Sequence, residues 1–186
     1  MRDSHAACWR RLDVPGHDGA RLQRTAGGWR IAGTAVSASG GEATVLTYGV
    51  ECDERWRTRT GTVRGFIGAR EVVRDLFVDD AGRWYMNGVE CPAVAGAVDL
   101  DFEFSPATNL LPVRRLQLAV GDEAEVRAAW LRFPVLTIEP LEQRYRRLDQ
   151  CRYRYESARG AFACDMTVDA EGFVATYGDV WTAERG

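Results

Sequence analysis

"GWRIAGTAVSASGGEATVLTYGVECD", residues 28–53, decides the fold. Apolar and small polar residues alternate through 28–39, stop at Gly40-Gly41, and alternate again from Glu42. Alternation with a period of two, broken by turn residues, marks strands with one buried face. The pattern continues in "RWRTRTGTVRGF" (55–66), "REVVRDLFVDD" (70–80) and "GRWYMNG" (82–88). The last ends in Asn87-Gly88, the strongest short hairpin signal. "AGAVDLDFEF", "LTIEPLEQRYRRL", "CRYRYES", "AFACDMTVDAEG" and "FVATYGDVWTAE" complete the series. The reading is a long antiparallel meander in a mainly β chain, with no linker or low-complexity tract, hence a single domain over 1–186.

Two stretches, "FVDDAGRW" (77–84) and "TVDAEGFV" (167–174), share V-D-x-x-G before a large residue. Both read as tight hairpins with Gly82 and Gly172 in a left-handed conformation. A helix is expected from Asn109 to Leu118, with Asn109 as N-cap, Pro112 in the first turn and Gly121 as the stop. In 123–134, Val126, Ala129, Trp130 and Phe133 fit a helix, whereas Val126, Ala128 and Trp130 fit a strand equally well.

Hydrophobic residues make up 46% and charged residues 27% of the chain, the balance of a globular domain. A formal charge of −3 gives no electrostatic case for nucleic acid. All 24 basic residues are arginine, which excludes lysine chemistry and favours bidentate pairing with carboxylate or phosphate. Five cysteines (Cys8, Cys52, Cys91, Cys151, Cys164) lack zinc or disulfide spacing and are expected to be reduced. "MRDSHAACWRRLD" lacks a signal-peptide apolar core, and no apolar run approaches a membrane span. A cytoplasmic protein is expected.

Only His5 and His17 are present, and there is no HExxH, phosphate loop or dinucleotide fingerprint. No catalytic residue, metal ligand or cofactor is therefore assigned. In "DLDFEF", Asp99, Asp101 and Glu103 share one strand face, neighbours about 6.5–7 Å apart. Two carboxylates on one strand point the same way, a poor glycosidase pair. Cross-strand pairing with arginine ladders is the simpler role: Arg55, Arg57 and Arg59 alternate, as do Arg144 and Arg146 around Tyr145, and Arg152 and Arg154 beside Tyr153 and Tyr155. Trp56, Trp84, Tyr177 and Trp181 add aromatic surface suited to a core or a pocket. "SPATNLLPVRRL" (105–116) places Arg114 and Arg115 on a helix apolar around most of its circumference. Enclosed guanidinium groups need carboxylates, carbonyls or a bound anion. Asp99 or Asp101 could supply the first and a ligand headgroup the last.

These residues resemble the bacterial putative glycolipid-binding proteins, whose fold is a spiral β-roll. The resemblance is carried by "YGVECDERWRTR" (48–59), "GRWYMNG", "DLDFEFSPATNLLPVRRL" (99–116), "LEQRYRRL" (141–148), "YRYES" and "VDAEGFVATY" (168–177). It implies a many-stranded antiparallel sheet curled around a single helix, like the half-barrels of lipoprotein carriers. It also implies a homodimer and favours a strand over 125–133. The ligand expected is a glycolipid or other amphipath with an anionic or sugar headgroup, held between sheet and helix. The binding candidates are Arg114, Arg115, Asn109, Asp99, Asp101, Trp84, Tyr145, Tyr153, Tyr155 and Arg57. Two alternatives stay open: an enzyme of glycolipid metabolism using Asp99, Asp101 or Glu156 as acid or base, and a ligand-free dimeric module. An open apolar pocket favours binding, carboxyls facing across it favour an enzyme, and a filled interior favours the module.

Overall fold

The computed structural model describes residues 4–184. The strands in chain order are β1 (Ser4–Arg11), β2 (Gly16–Thr25), β3 (Gly28–Ser39), β4 (Glu42–Asp53), β5 (Thr58–Ile67), β6 (Arg70–Val78), β7 (Trp84–Met86), β8 (Val89–Glu90) and β9 (Asp99–Phe102). One α-helix, α1 (Leu110–Leu116), comes next. The second half of the sheet follows: β10 (Glu123–Leu131), β11 (Ile138–Arg147), β12 (Arg152–Ser157), β13 (Phe162–Val168), β14 (Val174–Tyr177) and β15 (Trp181–Ala183).

All 15 strands form one sheet in the order β8-β7-β6-β5-β4-β3-β2-β1-β15-β14-β13-β12-β11-β10-β9. Nearly every step is a sequential hairpin. The β1–β15 pair (Trp9 opposite Ala183) joins the two halves. A twisted sheet this wide cannot stay flat and curls upon itself. It stays open, because β9 does not complete a ladder with β5. Instead Thr58 stitches the gap: its N–H donates to Val98 O (3.2 Å), and its Oγ1 accepts from Leu100 N (3.0 Å). Thr108 Oγ1 likewise accepts from Phe102 N (3.1 Å), so hydroxyls occupy donors that β9 would leave open as an edge strand.

The expected helix is shorter than its sequence pattern. Residues 106–109 form a 3-10 turn, and only Leu110–Leu116 are α-helical. Asn109 makes no capping bond; Ser105 caps the turn by accepting from Ala107 N. Pro112 does fall in the first turn, but the stop is Gln117 in a left-handed conformation, not Gly121. Leu110 and Leu111 are fully buried in the larger core, while Val113 and Leu116 enter a second core around Tyr145, Tyr155 and Met166. The helix is thus the plug between two inner faces of one sheet.

Segment 123–131 is a strand, which settles the ambiguous stretch. β9 pairs parallel to β10, an exception to the antiparallel rule, because the helix segment supplies the crossover between them. The Asn87-Gly88 hairpin forms, with both residues at positive φ. Gly82 and Gly172 are also left-handed, and Asp79 and Asp169 organise their turns alike, each Oδ1 accepting two backbone N–H bonds. Asp53 builds the same turn with Arg55 and Arg57, but Trp56 stands at φ 64° where the other two have glycine. The expected Arg55–Arg57–Arg59 strand ladder is therefore corrected: the first two lie in this turn, and only Arg59 is on β5. Strands β1 and β2 are additional to the sequence reading. Their alternation is muted by charged and small residues, and few large side chains (Trp9, Leu22) bury from them.

Candidate functional site

A cavity of about 360 Å³ opens between the β9–α1 connection and the inner face of β10–β15. Its floor and walls come from Asp101, Phe102, Ser105, Pro106 and Asn109 on one side. Trp130, Leu141, Tyr155, Phe162, Tyr177 and Trp181 face them, and Arg11 and Asp13 close one end. The volume lies within the range of small-molecule sites, about 300–1,000 Å³, and the aromatic lining is of the kind such sites use.

The strand period explains the aromatic wall. On β12 the odd positions Tyr153 and Tyr155 point inward and Arg152 and Arg154 point out. Tyr155 meets Phe162 (6.0 Å between ring centroids) and Tyr177 (5.3 Å), and Phe162 stacks on Tyr177 (5.6 Å). Three strands thus contribute one continuous patch of rings.

The polar groups are mostly acceptors. Asp101 Oδ2 accepts from Gln143 Nε2 (2.5 Å), and no cation of the described residues pairs with it. Burial pushes the Asp101 carboxyl up to about 7; the Gln143 hydrogen bond lowers it only in part, and the charges of Glu103 and Asp99 raise it further. Tyr145 OH donates to Asn109 Oδ1 (3.1 Å), with Gln143 Oε1 a longer alternative acceptor of the same hydroxyl (3.4 Å), tying the cavity wall to the start of α1. Glu103, at the exposed rim, accepts from Phe133 N. Arg11 is the one arginine among the described residues that lines the cavity; both oxygens of Asp13 hold it (2.7 and 3.0 Å), and it lies over the Trp181 ring.

Behind Ser105 lies a cluster that local pattern did not reveal. Ser105 Oγ donates to Asp18 Oδ2 (2.5 Å), and Tyr48 OH donates to the same carboxyl (2.9 and 3.0 Å). All three residues are buried. Tyr48 reaches β2 only because Gly33 lies opposite it on β3; a Cβ there would stand 2.5 Å from the hydroxyl. Burial raises the Asp18 carboxyl to about 6, against the pull of these two hydroxyl donors.

Of the residues singled out by sequence, Asp101, Asn109 and Tyr155 line the cavity. Asp99 and Arg115 form a bidentate pair (3.0 and 2.5 Å) with Asp99 almost fully buried. Burial raises the Asp99 carboxyl even though Arg115 pulls it down. Arg114 lies over Trp56 (5.3 Å), which itself stacks on Trp29 (4.8 Å). Trp84 donates its indole N–H to Ala97 O in the larger core, and Tyr153 sits in the second core under Arg147. Tyr145 is wholly buried behind the cavity wall. Arg57 is exposed on its turn, and Glu156 meets Arg154 (3.7 Å) on the opposite side of β12 from the ring patch. Arginine–acid ladders do occur: Arg144 with Glu125, Arg127 with Glu142, and Arg154 with Asp165. Among the described residues, His5, Asp169 and Glu171 alone offer three metal-type ligand atoms within 4.8 Å; as they stand, His5 Nε2 lies 2.7 Å from Asp169 Oδ2.

No curated protein matches the chain. Its structure is similar to the crystal structure of a DUF1089-family protein from Pseudomonas aeruginosa, with a TM-score of 0.76 and 28% sequence identity. The match covers 95% of this chain and 90% of that one. A family model described as putative glycolipid-binding matches residues 6–183, so the chain belongs to that family.

Proposed function

We propose that this protein binds an amphipathic ligand, a glycolipid, in the cavity between α1 and the inner face of β10–β15. The observation that carries the reading is the cavity itself: a sheet of 15 strands curls around two packed cores yet leaves about 360 Å³ walled by aromatic rings on one side and by polar groups on the other. Sugar rings stack their apolar faces on aromatics and donate hydroxyls to acceptors such as Asp101 and Glu103. The family description supports the same ligand class. Asp101, Asn109 and Tyr155 are the contact residues; Asp99, Arg115 and Tyr145 act behind them, holding β9 and α1 in place.

The test is titration with dodecyl maltoside below its micelle concentration, read by the fluorescence of Trp130 and Trp181 in the cavity wall. Saturable binding is expected. It should be lost in Ala158→Trp, which places a large ring at the exposed rim without touching either core. Saturable binding that survives this change, or none at all, contradicts the reading. We also propose that two copies pair. The convex face supports this, with Val36, Phe66, Val73 and Phe77 exposed on neighbouring strands.

A further inference from the structure

The sequence pattern pointed to an anion meeting arginine. The cavity has the opposite chemistry. Among the described residues, its only guanidinium, Arg11, is closed onto Asp13, so this pair presents no net charge. Of the arginines that the sequence proposed, Arg115 is taken by Asp99, Arg114 lies over Trp56 and Arg57 lies on the Asp53 turn. What remains are Asp101 inside and Glu103 at the rim, neither ion-paired among the described residues.

The neutral donors on the β9–α1 side are also committed. Ser105 donates to Asp18, Asn109 Nδ2 to Pro106 O (3.3 Å), and Tyr145 to Asn109. An anionic headgroup would enter among carboxylates and meet, among the described residues, only an arginine already held by Asp13. A positively charged one would find a mostly buried carboxylate and the faces of Tyr155, Phe162 and Tyr177. Rings plus one carboxylate are the chemistry that recognises an ammonium group. Burial is the main cause that raises the hydroxyls of Tyr155 and Tyr177, but the Asp101 charge contributes to both, so acid and rings share one electrostatic space.

We propose that the headgroup held in this cavity carries a positive charge, a protonated amine or quaternary ammonium, with Asp101 as its counter-ion and the Tyr155–Phe162–Tyr177 rings as its wall. This rests on the reading of the cavity as an amphipath site and narrows its ligand class. The charge of Asp101 then sets the pH response. Facing it are Gln143 from β11, Asp99 and Glu103 from its own chain segment, Tyr155 and Tyr177 from β12 and β14, and the neutralised Arg11–Asp13 pair at the cavity end. None is a cation that could replace the ligand's charge.

The experiment compares three probes with one twelve-carbon chain, all below their micelle concentrations: dodecyltrimethylammonium, dodecyl maltoside and laurate, by tryptophan fluorescence. At pH 8 the trimethylammonium probe is expected to bind at least tenfold more tightly than either other probe. Because its charge does not titrate, its affinity should fall about tenfold from pH 8 to pH 6 as Asp101 takes up a proton. Asp101→Asn, shown by thermal melt to be folded, should collapse the ammonium preference to about onefold. Tighter binding of maltoside or laurate overturns the inference but leaves an amphipath site standing. An ammonium preference that survives Asp101→Asn overturns it too. Failure of all three probes removes both the inference and the site.

Discussion

Replacing Asp101 by asparagine should make the protein more stable, and only at neutral to alkaline pH. The folded protein raises this carboxyl from 3.8 to about 7, chiefly by burial. The native state therefore holds the proton more tightly than the unfolded chain. The stability linked to that proton is complete below about pH 4, falls as pH rises, and is gone above about pH 7. Three units correspond to roughly 4 kcal/mol at about 1.36 kcal/mol per unit. The carboxyl lines a cavity open to water, so about half, ~2 kcal/mol, is the expected penalty. Asparagine keeps the shape and still accepts from Gln143 Nε2. In a chain of this length ~2 kcal/mol is about 4–8 °C in Tm. Melts of Asp101→Asn and the parent protein should coincide near pH 4 and separate by that amount at pH 8. A difference independent of pH, or a variant less stable throughout, would refute the claim that an uncompensated carboxylate sits here.

Other substitutions test the supports of the site. Arg115→Ala leaves Asp99 buried without its partner and should cost about 3–5 kcal/mol in urea unfolding; Asp99→Leu with Arg115→Leu should recover much of this, since apolar pairs of similar volume replace buried ion pairs well. Gly33→Ala should destabilise, because the new Cβ would meet both the Tyr48 hydroxyl and Gly19 O within 2.6 Å. The loss should be smaller in a Tyr48→Leu background, which removes both the hydroxyl and the ring carbon that crowd the new Cβ, by about 0.5–3 kcal/mol, the range for residues in direct contact. Light scattering should give a dimer's mass for the parent protein and a monomer's for Phe66→Glu with Phe77→Glu on the exposed convex face.

The sheet was legible because its strands are long and alternate cleanly between glycine-marked turns. β3 and β4 pair over twelve consecutive positions, as "GWRIAGTAVSAS" and "EATVLTYGVECD" require. β1 and β2 were not legible, since "SHAACWRR" and "GHDGARLQRT" bury little beyond Trp9, Ala20 and Leu22, and a charged residue, Asp18, lies on the buried side. The strand-like character of Arg55–Arg59 misled because Trp56 takes a left-handed conformation that glycine would have advertised. Its ring, held on Trp29, makes that conformation tenable.

Of the binding candidates that the sequence named, Asp101, Asn109 and Tyr155 line one cavity, placed there by β9, the "SPATN" turn and β12. It could not tell which arginine meets which acid. That choice depends on where a helix of two turns lands inside the curled sheet, and the landing spends Arg115 on Asp99. The Asp18–Ser105–Tyr48 cluster depends on contacts between residues 30–87 positions apart, for which local pattern holds no signal, and Arg11 reaches the cavity only through the pairing of β1 with β15. Gly33 opposite Tyr48 is the one trace they leave, readable only once the register is known.

The central claim is that the space between α1 and β10–β15 holds an amphipath. Native mass spectrometry of the purified protein, followed by organic extraction and lipid analysis, tests it most directly. The account predicts a defined amphipathic molecule at one per chain, absent from Ala158→Trp. The same molecule bound equally by Ala158→Trp would contradict it, as would a chain that comes free of ligand and stays free after incubation with dodecyl maltoside and dodecyltrimethylammonium.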